Sequence, residues 1–128
     1  MERLDKDLTR NDYRHFILEL NAINEAWKAI GGKWKLKLIL ALAHGEKRFN
    51  ELKEYVTGIS PRALSKELKE LEKSGLVSRL VGIHHPVAVS YQLTEIALKL
   101  NDVIHELQVW SLWYKEEFLE SQLDTLSN

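Results

Sequence analysis

The chain has 128 residues, 45% of them apolar, which is enough for one domain with a real core. It has no cysteine, so disulfides, thiolate metal sites and thiol redox chemistry are excluded. No apolar run reaches the roughly 18 residues a membrane span needs, and the start, Met1-Glu2-Arg3-Leu4-Asp5, lacks a signal's apolar segment, so a cytoplasmic protein without membrane contact is expected. The net charge of −1 looks unsuited to nucleic acid, but residues 1–30 carry −1, residues 31–81 carry +5 and residues 82–128 carry −5. Charge acts over a Debye length of roughly 10 Å, so the basic middle can meet phosphate beside an acidic end.

From Asn11 to Ile30, apolar residues recur at spacings of three and four, at Phe16, Leu20, Ile23, Trp27 and Ile30. This predicts a helix, broken by Gly31-Gly32. A second helix is predicted from Lys33 to His44, closed by Gly45. Trp34, Leu36, Leu38, Ile39 and Leu42 make it apolar over a broad face, so it should be central. Lys33, Lys35 and Lys37 crowd its positive end, a mild cost that needs a reason. Arg48-Phe49 reads as a short extended link, and Asn50 as the N-cap of a third helix, Glu51 to Thr57, ended by Gly58.

The next helix has both ends marked. Ser60 can cap it, Pro61 suits its first position, and Gly75 can close it. Leu64, Leu68 and Leu71 fall within about 60° on the helical wheel, a narrow apolar seam. Arg62, Lys66, Lys69 and Lys73 line the opposite side, with Glu67, Glu70 and Glu72 on the flanks. Leucine to the core and a row of cations to solvent is what a helix in a DNA major groove needs. An ordinary solvated helix with ion pairs, Glu70 four residues after Lys66, would show the same pattern. The preceding helix, the tight turn at Gly58-Ile59 and this helix make a helix-turn-helix.

After Gly75 the period changes to two. Leu76 to Val81 predicts a strand, Gly82 to Pro86 a turn, and Val87, Val89, Tyr91 and Leu93 a second strand. The hairpin is a wing, and the fold class is mainly α with a small β-hairpin, a winged helix-turn-helix. Thr94 caps the last helix, with Glu95 at its positive end. It runs through Ile96, Leu100, Val103, Ile104, Leu107, Trp110, Trp113 and Tyr114 towards Phe118 and Leu119. Some 25 residues of helix span about 37 Å, more than one small domain can cover. The N-terminal helix of the same chain could cover the excess; a second subunit, joined by both terminal helices, is preferred. The organisation expected is residues 1–30 as an N-terminal dimerisation region, 31–93 as the winged core and 94–128 as a C-terminal dimerisation helix.

Several stretches carry a resemblance. They are Ile30-Gly31-Gly32-Lys33-Trp34, Lys47-Arg48-Phe49-Asn50-Glu51-Leu52, and Gly58-Ile59-Ser60-Pro61-Arg62 running on through Glu72. Gly75-Leu76-Val77, then Val89 through Glu95, and Trp110 follow in unbroken order. In these residues the chain resembles the HxlR family of prokaryotic winged-helix transcriptional regulators, within the MarR-like superfamily. The resemblance implies a homodimer on a symmetric operator in double-stranded DNA, with the helix after Ser60 in the major groove. By position it implies Ser60, Arg62, Ser65, Lys66 and Lys69 as the DNA-facing set, with Arg62 on a guanine and the lysines on phosphates. Arg79 becomes a wing-stem phosphate contact, and His84 and His85 sit at the wing tip. The first and last helices become the dimer interface, at Phe16, Leu20, Trp27, Leu107, Trp110, Trp113 and Tyr114. Three departures stand out. Asn21 lies near where many members carry a cysteine that some use to sense electrophiles or oxidants. Leu80 and Ala88 stand where members often have wing arginines, for which His84-His85 are a weak substitute. The segment before Asn21 is longer than the family leads one to expect.

Catalysis finds no support in the residues. There is no Gly-rich phosphate loop, no His-Glu-x-x-His and no cysteine nucleophile, and Glu117 and Glu120 read as a solvated face. Adjacent His84 and His85 make a poor metal chelate without a third ligand, so no metal or cofactor is expected. The stronger rival is a winged helix that binds protein rather than DNA, favoured if the glutamates mask the row Arg62, Lys66, Lys69 and Lys73. Trp27, Trp110 and Trp113 could instead line a pocket for a small-molecule effector, though packed core or dimer interface is the preferred use.

Overall fold

The computed structural model describes residues 10–84 and 86–127. Six helices and three strands follow in order: α1 (Arg10–Ile30), α2 (Lys35–Ala43), β1 (Lys47–Arg48), α3 (Phe49–Tyr55), α4 (Pro61–Lys73), β2 (Val77–Val81), β3 (Val89–Leu93), α5 (Glu95–Leu98) and α6 (Leu100–Ser127). The molecule is mainly α with a small antiparallel sheet, as the sequence predicts.

The core lies where α2, α3 and α4 meet the sheet. Leu38 and Ile39 of α2, Leu52 of α3, and Leu64, Leu68 and Leu71 of α4 are its largest fully enclosed side chains. The three leucines are the seam predicted for the basic helix. They fix which face of α4 turns outward, because burying each leucine removes about 1.5–3 kcal/mol worth of apolar surface from water. Its ends are as expected. Ser60 Oγ accepts the Ala63 N–H at 3.1 Å. At the other end Leu76 N–H reaches the Leu71 carbonyl at 2.9 Å and Gly75 N–H reaches Glu72 at 3.0 Å. That pair of bonds is a Schellman closure, and it needs the left-handed backbone that Gly75 supplies at φ +78.

Three features differ from the sequence-based expectation. Arg48-Phe49 is not merely an extended link. Lys47 and Arg48 form a third strand, paired with Tyr91 and Ser90, so the sheet order is β1-β3-β2. Helix α3 consequently starts at Phe49, with Arg48 rather than Asn50 as its N-cap. The strand pairing delivers the chain to the helix two residues early, and the Arg48 N–H is taken up by Glu51 Oε1 at 2.9 Å. The last helix is interrupted as well. Thr94 caps a four-residue α5 through its bond from Ala97 N–H, at 3.3 Å. Lys99 then bonds to Ile96 in a tighter turn, also 3.3 Å, and the chain restarts as α6.

Helix α6 has 28 residues, about 42 Å of length. Past Ile104, which is buried, its apolar residues leave the domain. None of the described residues of α1 is buried. None of the described helices is long and apolar enough to cross a membrane.

Candidate nucleic-acid interface

Helix α4 presents Arg62, Lys66, Lys69 and Lys73 to solvent, opposite its leucine seam. Ser60 is exposed at its start with its oxygen engaged as the cap, and Ser65 is half-buried beside the seam. Among the described residues no ion pair joins any of these four cations to a carboxylate. Arg79 is exposed on β2 opposite Tyr91, and His84 is exposed in the loop beyond. Among the described residues no hydrogen bond links this wing set to α4. His85 lies outside the described residues.

The flanking glutamates do not mask the row. Lys35, near the start of α2, reaches across to α4 and binds Glu67 Oε2 at 2.8 Å and Glu70 Oε2 at 2.5 Å. Glu70 therefore turns to another helix instead of pairing with Lys66 along its own. For Lys35, burial works to lower its pKa, but the hydrogen bonds and charges of Glu67 and Glu70 outweigh it and hold the ammonium above 10.5. The hydrogen bond from Lys35, then its charge, holds the Glu70 carboxyl below 4.5, and Lys66 adds to this. Sequence reasoning missed this bridge; its trace was the row of lysines at the wrong end of α2. The other two lysines have a reason too. Lys33 and Lys37 stand over the Trp34 ring, 4.8 and 5.0 Å from its centre.

Two further residues escaped the sequence reading. Lys47 is buried, with its ammonium 4.4 Å from the centre of the Tyr55 ring and 3.3 Å from the Gly45 carbonyl. It braces the sheet edge and leaves the basic surface to others. Ile83, next to His84, is 91% exposed. An apolar residue inside a turn was the signal available for it.

The residues expected at a dimer interface lie on the two terminal helices. Phe16, Leu20 and Trp27 of α1 and Leu107, Trp110, Trp113 and Tyr114 of α6 are all exposed in the single chain. On α6 the rings of Trp110, Tyr114 and Phe118 stack in a ladder, at 5.0 and 5.8 Å between centres. Among the described residues no cluster of three or more acidic, His or Cys side chains could hold a metal.

A helix-turn-helix braced by a three-stranded sheet, with a hairpin after the outward basic helix, defines a winged-helix protein. Residues 29–118 match the model of the HxlR-like helix-turn-helix family, and the chain belongs to that family. The uncharacterised HTH-type transcriptional regulator YkvN of Bacillus subtilis is 39% identical over 98 residues, covering 76% of this chain and 83% of that one. YodB of the same organism, an HTH-type transcriptional regulator, is 38% identical over 70% of this chain and 80% of its own. Among solved structures, a MarR-family transcriptional regulator from Enterococcus faecalis superposes with a TM-score of 0.72 at 37% identity, over 77% of this chain and 90% of that one. The redox regulator HypR in its reduced form gives 0.69 at 35% identity, over 78% and 98%. The chain is thus a helix-turn-helix transcriptional regulator of this family. Almost all of α1 precedes the matched region.

Proposed function

We propose that the protein is a homodimer that binds a near-palindromic operator in double-stranded DNA, with α4 in the major groove. The single observation that carries this is the outward row of Arg62, Lys66 and Lys69, with the adjacent Glu67 and Glu70 drawn away to Lys35. In this reading Arg62 bonds both acceptors of a guanine, Ser60 and Ser65 flank it, and Lys66 and Lys69 meet phosphates. Arg79 on the wing stem and His84 in the loop beyond it approach the neighbouring backbone. Residues 31–93 are the DNA-binding core, and 1–30 and 94–128 the dimerisation regions. A winged helix serving only as a protein-binding module would be favoured by glutamates masking these cations, and the Lys35 bridge counts against that masking.

Support for the homodimer is the apolar surface on α1 and α6, where Trp27, Trp110 and Trp113 are each more than half exposed. A soluble monomer rarely leaves so many large side chains open. The regulator works in the cytoplasm, without a cofactor. Having no cysteine, it takes no signal through a thiol. Hydroxyl-radical footprinting on genomic fragments tests the reading. Two protected half-sites should lie on one face of the duplex, about 34 Å apart or a multiple of that turn. Failure to retain any genomic fragment at low salt would reject it.

A further inference from the structure

Helix α4 carries four cations, Arg62, Lys66, Lys69 and Lys73, and three carboxylates, Glu67, Glu70 and Glu72. Taken alone it is nearly neutral, a weak partner for a surface as densely charged as the DNA backbone. The charge it can offer outward depends on where those carboxylates point. Glu67 and Glu70, one turn apart, converge on the single ammonium of Lys35. The Lys35 and Glu67 side chains are only 12% and 14% exposed, so water and salt screen this pair little. Glu70 is more open, at 43%, and it feels the charge of Lys66.

We propose that Lys35 is a positioning residue for DNA binding: by holding Glu67 and Glu70 against α2, it keeps two negative charges off the phosphate-facing side of α4. The inference rests on the DNA-binding reading. Lys35 itself is too enclosed to meet DNA, so its effect passes through the two glutamates. Lys33 and Lys37 stand over the Trp34 ring instead and form no ion pair with these glutamates among the described residues. The same bridge also ties α4 to α2, yet anchoring and charge separate experimentally. Removing the negative charges makes the charge role of Lys35 unnecessary, while any anchoring role is lost with the bridge.

The test is a cycle of variants on a random-sequence duplex of about 30 base pairs, titrated at several salt concentrations. Lys35→Met should bind about fivefold more weakly, the effect of two unneutralised carboxylates near phosphate at high effective dielectric. Glu67→Gln/Glu70→Gln, with Lys35 intact, should bind at least as tightly as wild type. The triple variant should return to within about twofold of wild type. A triple variant as weak as Lys35→Met would overturn the proposal, as would Lys35→Met binding like wild type. Should Lys35→Met fail to fold by circular dichroism, the glutamine pair still decides: weaker binding than wild type would overturn the proposal. Wild-type protein that ignores the duplex altogether would count against the DNA-binding reading, not against the role of Lys35 within it.

Discussion

A methyl group has no room at Gly31. A Cβ there would lie 2.4 Å from the Trp27 carbonyl oxygen and 2.6 Å from the Trp27 ring. The same carbonyl accepts the Gly31 N–H at 2.7 Å, closing α1. Gly31→Ala must therefore shift the indole and also move the backbone at the turn, and about 1–3 kcal/mol of stability should be lost in urea titration. Thr94 holds two elements with one hydroxyl, which donates to the Gly75 carbonyl at 2.7 Å and accepts from Ala97 N–H at 3.3 Å. Thr94→Ala should cost about 1–2 kcal/mol, and Thr94→Ser should restore most of it. The Lys35 bridge has a pH signature. The depressed Glu70 carboxyl contributes stability that is full above 4.5 and lost as pH falls through its lowered folded value. The raised Lys35 contributes stability that is full below 10.5 and lost as pH rises through its raised folded value. The stability gap between wild type and Glu70→Gln should be flat between those limits and shrink below the lower one. A gap that persists down to about pH 2 would contradict this.

At the scale of elements, what was legible in the sequence was whatever local chemistry determines. Ser60, Pro61 and Gly75 mark the ends of α4 because caps and closures act within a turn. Its leucine seam was legible because a helix repeats every 3.6 residues whatever surrounds it. Partners distant in sequence were not legible. β1 has only two residues, too few for any alternation, and exists because Tyr91 and Ser90 lie beside it. The cap at Arg48 follows from that pairing. The break at Lys99 falls in an apolar sequence that reads as one helix; α5 is tied to the sheet through Thr94 and α6 restarts beyond it. The bridge from Lys35 to Glu67 and Glu70 spans more than thirty positions. The outward cations of the candidate site were thus readable from the wheel, whereas the reason they stay unmasked lies on another helix.

For the whole molecule, the exposed faces of α1 and α6 make assembly the first quantity to measure. Sedimentation at micromolar concentration should give a dimer, and a clean 14.9 kDa monomer would reject that assembly. Truncation after Leu107 removes the aromatic ladder and should yield monomer or aggregate. DNA binding should be indifferent to diamide, since the chain has no cysteine; reversible release at modest dose would show a signal input other than a thiol. In the proposed complex the outward row of α4 reads DNA, with Arg62 on bases and Lys69 on phosphate. Binding isotherms at several salt concentrations, on operator and scrambled duplexes, test it most directly. Arg62→Ala should cost about 1–3 kcal/mol on the operator and flatten preference at one symmetric pair of positions. Lys69→Ala should weaken both duplexes alike and lower the salt slope by about one unit per site. Equal loss on both duplexes for Arg62→Ala would make it a phosphate contact, and no loss for either variant would mean that α4 is not the reader.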